Sequence, residues 1–152
     1  MKIRVHAFAG ALALLTICIF WSATVISELF GDASAIAAVK NGILAGMLVL
    51  IPAMAIAGAS GFSLGKGWKS QAVERKKRRM KIVAVNGLLV LVPSAVFLAW
   101  KAGAGEFDAV FVVVQAIELA AGAVNVTLLA LNMRDGLALR RKPARAARTQ
   151  PA

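Results

Sequence analysis

Four long apolar segments constrain the fold of this chain more than any other feature of its sequence. They cover approximately residues 5–30, 36–64, 80–100 and 107–133. About 20 helical residues cross the hydrocarbon core of a bilayer, so each segment is long enough to span a membrane. Because lipid offers no hydrogen-bonding partner to the backbone, such segments are expected to be helical. The sequence therefore predicts an all-α, four-helix transmembrane bundle over residues 1–135.

Composition and charge favour a membrane protein over a soluble one. Of the 152 residues, 60% are hydrophobic and 16% are charged, whereas about 25% of the residues in an ordinary soluble domain are charged. The formal net charge is nevertheless +11, and this combination is typical of membrane proteins with basic loops. A disulfide scaffold and a Cys/His zinc site are excluded within one chain, because Cys18 and His6 are the only residues of their types.

The distribution of basic residues predicts the orientation of the helices. Two basic residues precede the first segment, eight lie within residues 66–81, and six follow residue 133. These sixteen fall on one side of the predicted bundle, and only Lys40 and Lys101 fall on the other. The positive-inside rule then places both termini in the cytoplasm. The Ala/Arg/Pro-rich residues 136–152 are predicted to form a basic, disordered cytoplasmic tail.

A cleaved signal peptide is the alternative interpretation of the first segment. Ala33-Ser34-Ala35 has the small residues that a signal peptidase cleaves after. The apolar stretch before it is much longer than the 7–15 residues of a typical signal peptide. We therefore expect a membrane-spanning helix that is retained.

One stripe of the fourth segment carries an ionisable residue near its middle. Glu118 lies on the same helical face as Gln115, Asn125 and Asn132. Because a charged group in lipid costs at least about 2.5–3.5 kcal/mol on insertion scales, this stripe is predicted to face the interior of the bundle. Its side chains could hydrogen-bond neighbouring helices, or they could form a proton, cation or ligand site. Asn86 in the third segment is a further intramembrane candidate.

Other polar and small residues predict how the helices meet. Glu28 and Lys40 lie near the same end of the bundle and are expected to form an ion pair. Pro52 and Pro93 lie inside segments and can kink them, although proline is also common in membrane helices. Small residues that recur every four positions permit close helix contact, within the chain or between copies; they are Gly42, Gly46, Ala53, Ala57 and Gly61.

His6 is the one candidate ligand for a cofactor. Imidazole is a usual axial ligand of haem b, and the second ligand would be Met80, Met133 or the histidine of a second copy. The alternative is an interfacial histidine that bonds to headgroups or to a loop. No cofactor and no metal are predicted, and haem b remains the alternative.

A basic run precedes the third segment and is expected to contact anionic lipid headgroups. Nucleic acid is not expected as a partner, because no aromatic residues are interleaved with the basic ones. No enzyme motif is recognised in the sequence; the nearest match, to a P-loop, has Ser60 at its first glycine position and Gly67 at its final Ser/Thr position. The run contains Arg75, Lys76, Lys77, Arg78 and Arg79.

The chain resembles a family of small four-helix bacterial inner-membrane proteins to which no activity is assigned. The resemblance covers most residues to about 139. It is carried by His6, Phe20-Trp21, the stretch 27–31, the basic residues before Met80, and the region from Glu118 to Gly136. It implies the four-helix architecture and no activity.

Three functions follow as expectations. The first is a non-enzymatic membrane module that self-associates, as a homodimer for example, or serves a larger membrane complex as an accessory or scaffold. The second is a small proton-coupled transporter that works through Glu118. The third is a haem- or quinone-binding electron carrier that uses His6.

Overall fold

A computed structural model describes residues 2–66 and 71–141, and every regular element within them is helical. The third apolar segment is built from three successive elements, because a π-helical turn joins two α-helices without a break. The elements are α1 (Lys2–Phe30), α2 (Ala33–Leu64), α3 (Gln71–Asn86), the π-turn (Gly87–Leu91), α4 (Val92–Gly103) and α5 (Ala109–Arg141).

Four helical stretches are long and apolar enough to cross a membrane, as the sequence predicts. They have 28–32 residues and a mean hydropathy of 1.9–2.4. At about 1.5 Å per residue each exceeds 40 Å, more than the hydrocarbon thickness of about 30 Å. Many large apolar side chains point outward, among them Phe8, Leu48 and Leu88, which are 72%, 81% and 69% exposed. The stretches are Ile3–Phe30, Ala33–Leu64, Val73–Gly103 and Ala109–Ala138.

The four segments pack in a ring that follows their order in the chain. Helix α1 packs against α2 and α5, and α4 packs against the same two helices. Helix α3 packs against α5. Helices α2 and α5 therefore face each other across a diagonal of the bundle. The two-residue connection between α1 and α2 makes these neighbours antiparallel.

Two predicted boundaries are wrong, both at the basic end. Helix α3 begins at Gln71 rather than near residue 80, and α5 continues to Arg141 rather than ending near residue 133. Residues 71–79 and 136–141, interpreted from the sequence as loop and disordered tail, are helical because Glu, Lys and Arg are good helix formers even where they are too polar for lipid. The rest of the predicted tail, residues 142–152, lies outside the described residues.

The two internal prolines behave differently. Helix α2 continues through Pro52 as a single element. Pro93 is the second residue after the π-turn, and the amide of Val92 donates to the carbonyl of Gly87 across that turn. A π-turn adds one residue to the helical register, so it changes which faces of α3 and α4 meet their neighbours.

The small residues are used inside the chain. A Cβ atom at Gly46 would collide with the ring of Phe20, and one at Gly61 would lie 3.0 Å from Cε1 of His6. Ala53 and Ala57, on the same side of α2, are buried. Gly46 and Gly61 therefore serve the α1–α2 contact, whereas nothing lies within 4 Å of a Cβ built at Gly42.

Candidate functional site

The polar stripe of α5 lies inside the bundle, where the sequence places it. Gln115, Asn125 and Asn132 are only 5%, 2% and 7% exposed. The side chain of Glu118 is 11% exposed. The polar side chains of α5 thus form a row inside the bundle.

The central contact of the row is an ion pair across the diagonal. Nζ of Lys40 lies 2.7 Å from Oε2 of Glu118, and the lysine side chain is 1% exposed. The amide of Gln115 donates to the same carboxylate oxygen over 3.2 Å. Both charges are thereby removed from the surface and held by each other.

The expected ion pair between Lys40 and Glu28 is not the one formed. Lys40 lies seven residues into α2 and Glu118 nine residues into α5, which puts both about 10–14 Å from the same end of the bundle at 1.5 Å per residue. Glu28 lies two residues before the end of α1. The lysine therefore meets the carboxylate that matches its own depth.

Glu28 nevertheless belongs to the same cluster. It is close enough for the charges of Lys40 and Glu118 to act on it. Its Oε1 is buried and has no hydrogen-bond partner among the described residues, and the same holds for Oε1 of Gln115. Two acceptor oxygens beside the ion pair are thus without donors.

A small cavity of about 60 Å³ adjoins the cluster. Glu118 and Thr24 are the polar residues among its lining, which otherwise consists of apolar side chains and Gly122. Its volume is sufficient for a few water molecules. The carboxyl group of Glu118 therefore faces both a fixed cation and a small internal space.

Asn125 and Asn86 form the next contact along α5. The amide of Asn86 donates to Oδ1 of Asn125 over 2.8 Å and to the carbonyl of Ala121 over 2.9 Å. The amide of Asn125 donates in turn to the carbonyl of Val83 over 3.3 Å. The two predicted asparagines thus join the third segment to the fourth.

The row ends at the basic side of the bundle. The amide of Asn132 lies 3.4 Å from the carbonyl of Lys76. Nη1 of Arg79 lies 2.7 Å from Oδ2 of Asp135, and these two side chains are 19% and 15% exposed. Asn132 and Asp135 therefore connect α3 to α5, closer to the basic end of the bundle than Asn86.

Trp21 adds a contact that sequence reasoning missed. Its indole nitrogen donates to the carbonyl of Leu119 over 3.0 Å, and its ring lies against Gly122, where a Cβ would approach to 2.9 Å. A glycine four residues after Glu118 was the available signal, since it permits a large ring to approach the helix. The bond itself has no sequence pattern, because its acceptor is a backbone carbonyl.

His6 contacts α2. Its Nδ1 lies 3.1 Å from the carbonyl of Ala57 and 3.1 Å from the hydroxyl of Ser60. A donor bond from Nδ1 to a carbonyl leaves Nε2 with its lone pair, the arrangement that also orients metal-bound histidines. The same bond equally serves as a contact between the first two helices.

The predicted lipid-contacting residues separate into different environments. Arg79 is paired with Asp135. Lys77 bonds to Glu74 over 2.9 Å and, with Arg78, lines a polar cleft described below. Arg75 is exposed and lies outside that lining, and Lys76 is half-buried.

The opposite end of the bundle carries a second charged cluster. Nζ of Lys101 lies 2.7 Å from Asp108 and 3.1 Å from Glu106. The ammonium group, and next the bond from the amide of Phe111, lower the pKa of the Asp108 carboxyl below its usual range. Asp108 also caps the start of α5, because its Oδ1 accepts from that amide.

Within residues 2–66 and 71–141, no group of three or more His, Cys, Asp or Glu side chains has the arrangement of a metal site. Comparisons of the chain with family models, with curated proteins and with solved structures found no match. The interpretation of the polar row therefore depends on its own geometry.

Proposed function

We propose that the chain is a four-span protein of a bacterial inner membrane with both termini in the cytoplasm. Sixteen basic residues precede the first segment, lie within residues 66–81 or follow residue 133, whereas only Lys40 and Lys101 lie near the other two connections, and this distribution in the sequence supports the orientation. Single cysteines in a Cys18→Ala background test it, because Glu74 and Glu106 are exposed at opposite ends. Glu74→Cys should be labelled by an impermeant thiol reagent only after cell lysis, and Glu106→Cys in intact spheroplasts. Labelling of both from one side would contradict the proposal.

Within that membrane, the chain acts as a non-enzymatic module that self-associates or serves a larger complex. The observation that carries this proposal is the bonding of the α5 row: Glu118, Asn125, Asn132 and Asp135 each contact another segment. Polar groups used in this way fix the helices relative to one another. Because these polar groups bond within the chain, the apolar outer surface remains available for a partner.

The test of the module is its assembly state. Native mass spectrometry in a mild detergent, and energy transfer between labelled copies in vesicles, should show a dimer or a larger complex. Energy transfer should persist when the protein is diluted with lipid. A chain that remains alone by both methods, and that retains no partner when it is isolated from its own membrane, would refute the proposal.

A second candidate function is proton-coupled transport through Glu118. The unpartnered oxygens of Glu28 and Gln115 beside the Lys40–Glu118 pair favour it, because they are free to accept a proton-bearing group or a cation. Ionisable groups inside a membrane often mark proton or ion pathways. The chain would need to dimerise to enclose a pathway.

Proton flux in liposomes separates this candidate from the module. Under an imposed potential, Glu118→Gln should abolish proton entry, reported by an internal pH dye. Glu106→Gln removes the same charge at an exposed position and should leave entry unchanged. Equal flux for the wild type, both variants and empty liposomes would eliminate the carrier and leave the module standing.

A further inference from the structure

A polar cleft lies between the end of α2 and the beginning of α3. Its volume is about 370 Å³, within the range of about 300–1,000 Å³ that is usual for small-molecule sites. Phe62 of α2, Lys66 just beyond the end of α2 and four residues of α3 line it, and four of the six are basic. They are Phe62, Lys66, Glu74, Lys77, Arg78 and Lys81.

The spacing of these residues explains why they face one another. In α3 the lining residues follow one another at steps of three, one and three, which places them on a single face of the helix. Phe62 lies in the last turn of α2, and Lys66 lies two residues beyond the end of that helix. The remaining faces of α3 carry Val83, which is fully buried, and Arg79, which pairs with α5. The cleft is thus a distinct face of α3.

The charge of the cleft is only partly balanced. Glu74 accepts from Lys77 over 2.9 Å and compensates that lysine. Among residues 2–66 and 71–141, no carboxylate lies within ion-pair distance of Lys66, Arg78 or Lys81. Three cations therefore surround a space that a carboxylate of the chain does not fill, and like charges held together favour an anionic ligand.

The surroundings of the cleft indicate an amphiphile rather than a free anion. Phe62, one helical turn before Lys66, is 45% exposed. Beyond Lys81, α3 and the following turn expose Val85 and Leu88, which are 57% and 69% exposed. The cationic face thus passes directly into apolar surface, as a headgroup passes into its acyl chains.

We propose that this cleft binds the phosphodiester headgroup of an anionic phospholipid, with Lys66, Arg78 and Lys81 around the phosphate and the acyl chains along Val85 and Leu88. The proposed site revises the set of residues that the basic run predicts to contact lipid. It adds Lys66 and Lys81, retains Arg78, and omits Arg79, which is already paired. The proposal does not depend on any role of Glu118.

Lipid titration followed by native mass spectrometry tests the site in detergent, where membrane orientation has no influence. The probes are short-chain phosphatidylglycerol, short-chain phosphatidylcholine and sodium phosphate. The wild type should retain one phosphatidylglycerol in preference to phosphatidylcholine, and millimolar phosphate should not displace it. Phosphatidylcholine binding of equal strength, or displacement by phosphate, would overturn the proposal.

A pair of variants with equal charge locates the binding. The cleft variant carries Lys66→Gln, Arg78→Gln and Lys81→Gln. The control replaces Arg4, Arg75 and Arg134 by Gln, since all three are exposed and none lines the cleft.

Phosphatidylglycerol affinity should fall at least about tenfold in the cleft variant, because the charge-assisted hydrogen bonds to the phosphate are lost. It should fall no more than about twofold in the control, because the three control residues lie outside the cleft lining and do not contact the bound headgroup. An equal loss in both would show diffuse attraction and refute the site. If the cleft variant does not fold, Arg78→Gln alone should lower affinity severalfold, with unchanged affinity again refuting it.

Discussion

The Lys40–Glu118 pair allows the strongest test of the interior described above. Replacement of Lys40 by Met leaves the Glu118 carboxylate buried beside Glu28, with no cation in contact. The loss in free energy of unfolding caused by a buried carboxylate cannot exceed the free energy needed to protonate that carboxylate, because the folded protein can always take up the proton instead. For a glutamate with a reference pKa of about 4.3, that limit at pH 7 is about 4 kcal/mol, and at pH 5 it is about 1 kcal/mol. Lys40→Met should therefore be destabilised at pH 7 and recover most of its stability by pH 5.

Removal of the Glu118 carboxylate should lower the free energy of unfolding by less than removal of the Lys40 ammonium group. In Glu118→Gln the charge of Lys40 still acts on that of Glu28, so a replacement partner is at hand. Only when Glu28→Gln is added does the ammonium stay buried without a carboxylate in the cluster. A lysine with a reference pKa near 10.4 then costs up to about 5 kcal/mol at pH 7 and about 2 kcal/mol at pH 9. The stability of the double variant should therefore increase as pH rises, whereas that of Lys40→Met should increase as pH falls.

Reversible unfolding in mixed detergent micelles, measured at pH 5, 7 and 9, provides the assay. Lys40→Met combined with Glu118→Gln removes both charges and is the matched control. It should be more stable at pH 7 than Lys40→Met alone, because replacing a buried pair by uncharged groups is often neutral. If Lys40→Met and this control unfold alike at every pH, the two charges do not interact in the folded bundle and the reasoning fails.

Three further predictions concern other parts of the molecule. Gly46→Ala should lower the unfolding midpoint because its methyl group meets Phe20, whereas Gly42→Ala should not, since nothing lies within 4 Å of its Cβ; equal midpoints would contradict the packing. Because the pKa of Asp108 is lowered in the folded state, its contribution to stability is present above the unfolded pKa near 3.8 and is lost as pH falls through the lower folded value. Acid unfolding of wild type and Asp108→Asn should therefore converge below about pH 4, and a constant difference down to pH 2 would be inconsistent with this. After haem addition and removal of unbound haem, the purified chain should show no Soret band, because the ring of His6 is packed against Gly61 in the contact between α1 and α2; an absorbance spectrum with that band would revive the electron carrier.

The sequence predicts the number and type of the helices because lipid-length apolar runs have few alternatives. It predicts their ends poorly where polar residues are helical, as at Gln71 and Arg141. Hydropathy indicates where a helix would leave lipid, whereas backbone hydrogen bonding determines where it ends. The two differ by two turns or more at the basic end of this bundle.

The polar row around Glu118 was predictable only in part. The spacing of Glu118 and Asn125 reveals a stripe, and the cost of burying polar groups indicates that it faces inward. The partner Lys40 was not identified, because its selection depends on helix rotation and on which segments lie diagonally. The bonds of Trp21 and Asn132 end on backbone carbonyls, which no side-chain pattern encodes.

Helix α5 supplies one side of nearly every interhelical polar contact described above, and it leaves the ribosome after the other helices of the bundle that the structure describes. Until it is synthesised, Lys40, Asn86 and Trp21 have no α5 partner to meet. The helices before α5 can form without it, but their polar groups that pair with α5 stay unmatched while translation continues. Completion of this polar network is therefore tied to the synthesis of α5, and a chain released before residue 118 would expose to quality control the groups that the folded bundle conceals.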